Sequence, residues 1–193
     1  MSDDIINVSQ VEGRTCRGCT LCCKLMQVPP LNKPKDQWCI HCEIGTGCRI
    51  YDERPAVCKS FLCGYVSSAD IGPHWQPSNC KMVLFYEAQA RRAVIFVDSG
   101  RPGAWRSEPF YSDIQAWARA AAANKGQVII WTGETAIAIL PDREVPLGPV
   151  RPDQLVITVE NPPGRPVDVV VIDRDTRRIE KYGIDLDDDS FPR

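Results

Sequence analysis

The chain has only two histidines, no cysteine after Cys80, no apolar run approaching eighteen residues, and a formal net charge of -2 across 193 residues. Each shortage excludes something. Without a long apolar run there is no candidate for a membrane-spanning helix. With charge so nearly balanced, no whole-chain field points to nucleic acid or to a membrane surface. Two isolated histidines cannot build a His-Glu-x-x-His helix, and neither a Gly-rich phosphate loop nor a serine-hydrolase elbow is present. The first residues, Met1 to Ile6, show neither the basic start nor the apolar stretch of a secretory signal, so a cytoplasmic location is expected.

What the sequence has in excess is cysteine. Ten are present, nine of them between Cys16 and Cys63 and the tenth at Cys80. A chain of this length can bury a core without covalent staples, and cytoplasmic thiols stay reduced, so metal ligation is expected rather than a disulfide framework. The composition changes near residue 80, which gives an expected division into a cysteine-cluster region, 1–80, and a β-rich region, 81–193, packed separately or as one domain. The first part is broken by Pro29, Pro30, Pro34, Gly45, Gly47 and Pro55 and reads as irregular, with a metal replacing much of a core.

After the break, β-branched apolar runs appear at Met82 to Tyr86, Ala93 to Val97, Val128 to Trp131, Ala136 to Leu140, Leu155 to Val159 and Val167 to Ile172. Between the second and third, Pro109 to Asn124 places Ile114, Trp117, Ala118 and Ala121 on one helical face, with Gly126 near a C-cap position. One helix among strands predicts an α+β fold. Turn residues at Pro141-Asp142 and Asp173 to Thr176, and a loop at Asn161 to Gly164, favour antiparallel pairing. Asp185 to Asp189 reads as a solvated acidic tail.

The cysteine spacings carry the chemistry. In Cys16-Arg17-Gly18-Cys19 a two-residue spacer can turn both sulfurs toward one ion, and glycine eases the turn. Cys22 repeats the spacing, whereas Cys23 is not expected to point the same way as its immediate neighbour without backbone distortion. A second pair, Cys39-Ile40-His41-Cys42, is followed by Cys48, Cys58 and Cys63. From Arg14 to Cys63, eight lysines and arginines face four acids, a surplus that would offset metal-bound thiolate charge. His41 is a ligand, a cap on the site or a bystander on this spacing. His74 reads as a loop residue. Trp105, Phe110, Tyr111 and Trp117 read as core.

Two ordered motifs resemble those of the YkgJ-type cysteine-cluster family, described as having a zinc- or iron-chelating CxxCxxCC domain. They are Cys16-x-x-Cys19-x-x-Cys22-Cys23 and the stretch from Gly47-Cys48 through Ile50-Tyr51, Arg54-Pro55 and Cys58-Lys59 to Phe61 and Cys63. Trp38-Cys39 with His41-Cys42 resembles an extra pair found in some members, and Cys80 a trailing cysteine. The resemblance covers Cys16 to Cys80, with Lys59 where arginine is usual. It implies metal binding by all ten cysteines, with Arg54 against the cofactor by its place in the motif and Tyr51 and Phe61 excluding water or filling a small core. Flagellin lysine methylases carry a related cysteine region, but no nucleotide loop follows a first strand here.

Two cofactors fit these ligands. Cys16, Cys19 and Cys22, completed by Cys58 or Cys48, match the grammar of a 4Fe-4S cluster. Cys16 and Cys19 with Cys39 and Cys42 match a closed zinc site. An iron-sulfur protein acting in redox or electron transfer, with the β-rich part docking an unidentified protein partner, is the leading expectation. The alternative is a zinc-stabilised interaction module. Neither a nucleic acid nor a membrane is expected as a partner.

Overall fold

The structure is a computed structural model that describes residues 10–16, 18–88, 90–159, 167–176, 178–179 and 184–185. The expected Asn161 to Gly164 loop and most of the acidic tail lie outside these residues. The fold is α+β. Every strand pairing whose register is described is antiparallel.

The cysteine-rich part is more regular than its prolines suggest. It contains four short helices, α1 (Leu21–Leu25), α2 (Ala56–Ser60), α3 (Gly64–Ser67) and α4 (Pro77–Cys80), and a ribbon of β1 (Cys42–Glu43) with β2 (Gly47–Cys48). The prolines start elements rather than prevent them. Pro77 opens α4, Pro55 immediately precedes α2, and Pro29 and Pro73 open single 3-10 turns, positions where a missing N–H costs nothing. Nor is packing absent. Leu21, Leu25, Cys63, Val66 and Val83 form a buried cluster with Phe61, Leu62 and Phe96 against it, and Trp75 and Trp105 are fully buried. Burial of this kind stabilises by roughly 1.5–3 kcal/mol per large apolar side chain, so these contacts do part of the organising that was expected of a metal.

All six apolar runs form strands: β3 (Met82–Glu87), β4 (Arg92–Val97), β5 (Gln127–Thr132), β6 (Thr135–Ile139), β8 (Gln154–Val159) and β9 (Asp168–Asp173). A seventh, β7 (Glu144–Pro149), joins them, and the sheet order is β3-β4-β5-β6-β7. β7 was hidden because it carries Pro146, Gly148 and Pro149. At the end of the sheet order those prolines forfeit no ladder bond that a central strand would need, and Gly148, at φ 69°, accommodates a bulge where the register against β6 shifts. β8 pairs with β9, and the short strands β10 (Arg178–Ile179) and β11 (Ile184–Asp185) pair with each other.

The helix α5 (Phe110–Ala123) lies where expected, burying Ile114 and Ala118. Its ending corrects one detail. The left-handed residue past the helix is Lys125, at φ 56°, and not Gly126. The amide of Lys125 donates to Ala122 at 3.3 Å and that of Gly126 to Ala121 at 2.7 Å, the paired bonds of a Schellman ending. Gly126 is required for space: a Cβ there would lie 2.3 Å from the Arg91 carbonyl oxygen.

By packing, the chain divides into two compact units, Met1–Phe85 with Ile95–Phe110 and Tyr86–Val94 with Tyr111–Arg193. Every described cysteine belongs to the first. The second is organised around Ile129, Ala136, Ala138, Leu140, Val150, Val156 and Val169. No described helix is long and apolar enough to cross a membrane.

Candidate metal centre

All ten cysteines are free thiols, and local backbone geometry gathers Cys22, Cys39, Cys42 and Cys58 about Cys23, with Cys48 beside Cys42 and Cys58. Gly18, at φ 74°, allows the tight turn in which the Cys19 amide donates to the Cys16 carbonyl at 3.1 Å. The chain then enters α1, which carries Cys22 and Cys23. The Cys23 carbonyl accepts the amide of Cys39 at 3.0 Å, which draws the second motif onto the first. The Cys42 amide donates back to the Cys39 carbonyl at 3.0 Å, closing the second turn. Cys42 and Cys48 are then direct partners across β1 and β2, so their side chains leave the same face of the ribbon.

The thiols follow the backbone. Cys23 is hydrogen-bonded to the thiols of Cys22 and Cys42, and Cys42 also to the Thr20 hydroxyl. That hydroxyl oxygen accepts the Gly45 amide at 3.0 Å, fixing the ribbon's turn against the start of α1. Cys58, in α2, faces the charges of Cys23, Cys39 and Cys48. The remaining cysteines group differently. Cys16 faces Cys19 and Cys23, Cys63 faces Cys16 and Cys19, and Cys80 faces Cys19. Cys63 sits in the apolar cluster, and the single proton of the Cys80 thiol is shared between the carbonyls of Met82 at 3.3 Å and Trp75 at 3.6 Å.

Burial and neighbouring thiols raise the pKa of Cys16, Cys23, Cys42, Cys58, Cys63 and Cys80. The Cys23 thiol is raised by its bond to Cys22, by burial and by the Cys22 charge, against the opposing bond to Cys42 and the charge of Lys33. Burial, then the charge of Cys23, pushes Cys42 up to about 11. Burial likewise takes Cys63 and Cys80 to about 11 and raises Cys16 and Cys58. A soft cation among these sulfurs would act in the opposite sense, favouring the thiolates. The donor set fits such an ion, being all sulfur, hydrogen-bonded and held by backbone turns. That fit is one of chemistry alone: among the described residues no group of three or more Cys, His, Asp or Glu side chains is placed to hold a metal ion.

The charged residues divide the work in a way the sequence did not show. Lys33 is only 5% exposed, and its ammonium donates to the carbonyls of Lys24 and Met26 at the end of α1. Burial depresses its pKa, while Cys23, Cys39, Cys22 and Asp36 hold the charge in place. Arg54, the cation singled out by its motif, is half-buried. It stacks 3.6 Å from the Tyr51 ring, donates to the Tyr51 carbonyl at 2.7 Å and directs its charge at Cys16 and Cys58. Arg49 binds the Cys39-x-x-Cys42 turn, its side chain donating to Ile40 and its amide to His41. It is the carbonyl of His41 that is used in this way.

The aromatic expectations separate. Tyr51 is 58% exposed and does not exclude water, whereas Phe61 packs edge-to-face on Phe85 at 5.7 Å. Trp105 is buried, and Phe110 lies edge-on to Trp75 at 5.1 Å. No family model, curated protein or solved structure matches this chain.

Proposed function

We propose that the chain is a metal-thiolate protein in which four of Cys22, Cys23, Cys39, Cys42, Cys48 and Cys58 supply the ligands of an iron-sulfur cluster used in electron transfer. The observation that carries this reading is the convergence of the Cys22, Cys23 and Cys42 thiols where two Cys-x-x-Cys turns are tied by the Cys39–Cys23 backbone bond. The likeness of both cysteine motifs to the YkgJ-type family supports it.

When bound, such a cluster accepts and releases single electrons. The residues of the chain set the conditions for that chemistry. Lys33 and Arg54 place positive charge beside the sulfurs, Thr20 offers a hydrogen bond to Cys42, and burial of Cys42 restricts water. Trp38, Ile40, Ile44, Tyr51 and Val57 are exposed and interleave with the cysteines in sequence. They offer apolar contact to a protein partner that exchanges electrons.

Zinc is the second reading, favoured by one observation. The Cys39–Cys42 turn running into a ribbon with Cys48 opposite Cys42 is an arrangement that also suits a closed tetrahedral thiolate site. A redox titration followed by visible absorption separates the two. The iron-sulfur reading expects a reversible one-electron transition. A colourless protein with stoichiometric zinc and no transition overturns it.

A further inference from the structure

Between the end of α4 and the loop that leads to α5, the first unit carries a cleft of about 380 Å³; the one cysteine lining it, Cys80, is outside the ligand set proposed above. The cleft lies within the usual size range of small-molecule sites. Its walls carry charge of one sign. Lys81 and Arg101 are cationic, His74, Asn79 and Ser107 are polar, Phe110 gives an aromatic face, and no carboxylate lines it.

Both cations are set by the backbone. Lys81 closes α4 in the left-handed conformation, φ 62° and ψ 28°, with its amide on the Pro77 carbonyl. That conformation costs a non-glycine residue about 1 kcal/mol or more, and glycine or asparagine normally takes it. Lysine here gives an ammonium that bonds the Ser78 carbonyl at 2.6 Å and retains two further donors. Arg101 follows a turn in which Asp98 Oδ1 accepts the Gly100 amide at 2.8 Å and the Asp98 carbonyl accepts the Arg101 amide at 2.7 Å. Asp98, whose charge also faces Lys81, is already bonded through Oδ1 to Lys24 at 2.5 Å. Among the described residues neither Lys81 nor Arg101 has a carboxylate within ion-pair distance.

We propose that this cleft binds a small aromatic or otherwise planar organic anion, its carboxylate or phosphate held by Lys81 and Arg101 and its ring lying against Phe110. Arginine's fork suits either head group. The His74 ring lies 5.6 Å from that of Phe110, tilted 47° to it, and forms an adjoining wall. The site is independent of the metal reading and stands or falls separately from it.

The full-length protein is titrated with phenyl phosphate, benzoate and inorganic phosphate, followed by calorimetry and by tryptophan fluorescence, which Trp75 reports through its contact with Phe110. Saturable binding of an aromatic anion, tighter than that of inorganic phosphate, is expected, and the better of the two identifies the head group. Lys81→Asn, which keeps a residue tolerant of the left-handed backbone, and Arg101→Gln should each weaken it about tenfold or more. Arg151→Gln, which removes an exposed arginine paired with Asp153 and Asp173 in the other unit, should not. Circular dichroism of each variant verifies that it folds. Absence of saturable binding by either aromatic anion, or binding unchanged in either cleft variant, overturns the proposal.

Discussion

The amide of Cys39 donates to the carbonyl of Cys23 at 3.0 Å. This one backbone bond joins two cysteine motifs that sequence spacing alone left free to serve separate ions. It places Cys23, rather than the exposed Cys16, at the centre of the thiol group. Cys23→Ser should therefore lose most bound metal. Cys80→Ala, which removes a thiol already bonded to the Trp75 and Met82 carbonyls, should retain most of it. Elemental analysis of both variants checks this, and equal loss would count against a centre at Cys23.

Lys33→Met keeps the length of a buried side chain while removing its charge and its bonds to the Lys24 and Met26 carbonyls. Two carbonyls lose a donor, so the metal-free protein should lose about 1–3 kcal/mol in urea unfolding. The loss of positive charge beside Cys22, Cys23 and Cys39 should also weaken metal binding, on the order of 10–100-fold in a chelator competition. A variant with unchanged metal affinity would make Lys33 a purely structural residue.

Asp98 gives a pH signature. Burial would raise its carboxyl, but the hydrogen bond from Lys24, the Gly100 amide and the charges of Lys24 and Lys81 outweigh that and hold it below the usual carboxylate value. The folded pKa lies below the unfolded value of about 3.9. Its stabilisation is therefore complete above the unfolded value and fades as pH falls through the folded one. Asp98→Asn should cost about 1–3 kcal/mol at neutral pH, and the gap should close under acid. A gap independent of pH would rule out the carboxylate as its source.

The ending of α5 allows opposite effects at neighbouring positions. Lys125→Gly relieves a left-handed lysine and should stabilise by up to about 1 kcal/mol. Gly126→Ala pushes a methyl to 2.3 Å from the Arg91 carbonyl and should destabilise by about 1–3 kcal/mol. Denaturant midpoints of the two variants should move in opposite directions.

Much of the strand content was legible because β-branched runs are local signals, and all six runs named from the sequence form strands. β7 was not, because Pro146 and Pro149 are read as strand breakers unless the strand's place at the end of the sheet order is known. The Cys-x-x-Cys turns were legible from spacing and from Gly18. The Cys42–Cys48 pairing was not, since it depends on a ribbon of two-residue strands too short to show periodicity. Lys33 escaped notice for a related reason. Burial of a lysine is set by the carbonyls at the end of α1, and nothing in its neighbours in sequence marks it. The cleft of Lys81 and Arg101 joins loops distant in the chain, which no motif records.

The most direct test of the central claim is the metal and acid-labile sulfide content of protein purified without oxygen. The account predicts iron and sulfide bound in stoichiometric amounts by the wild-type chain and lost in Cys23→Ser. Wild-type protein free of bound metal, with all ten thiols titrating as accessible, would contradict it.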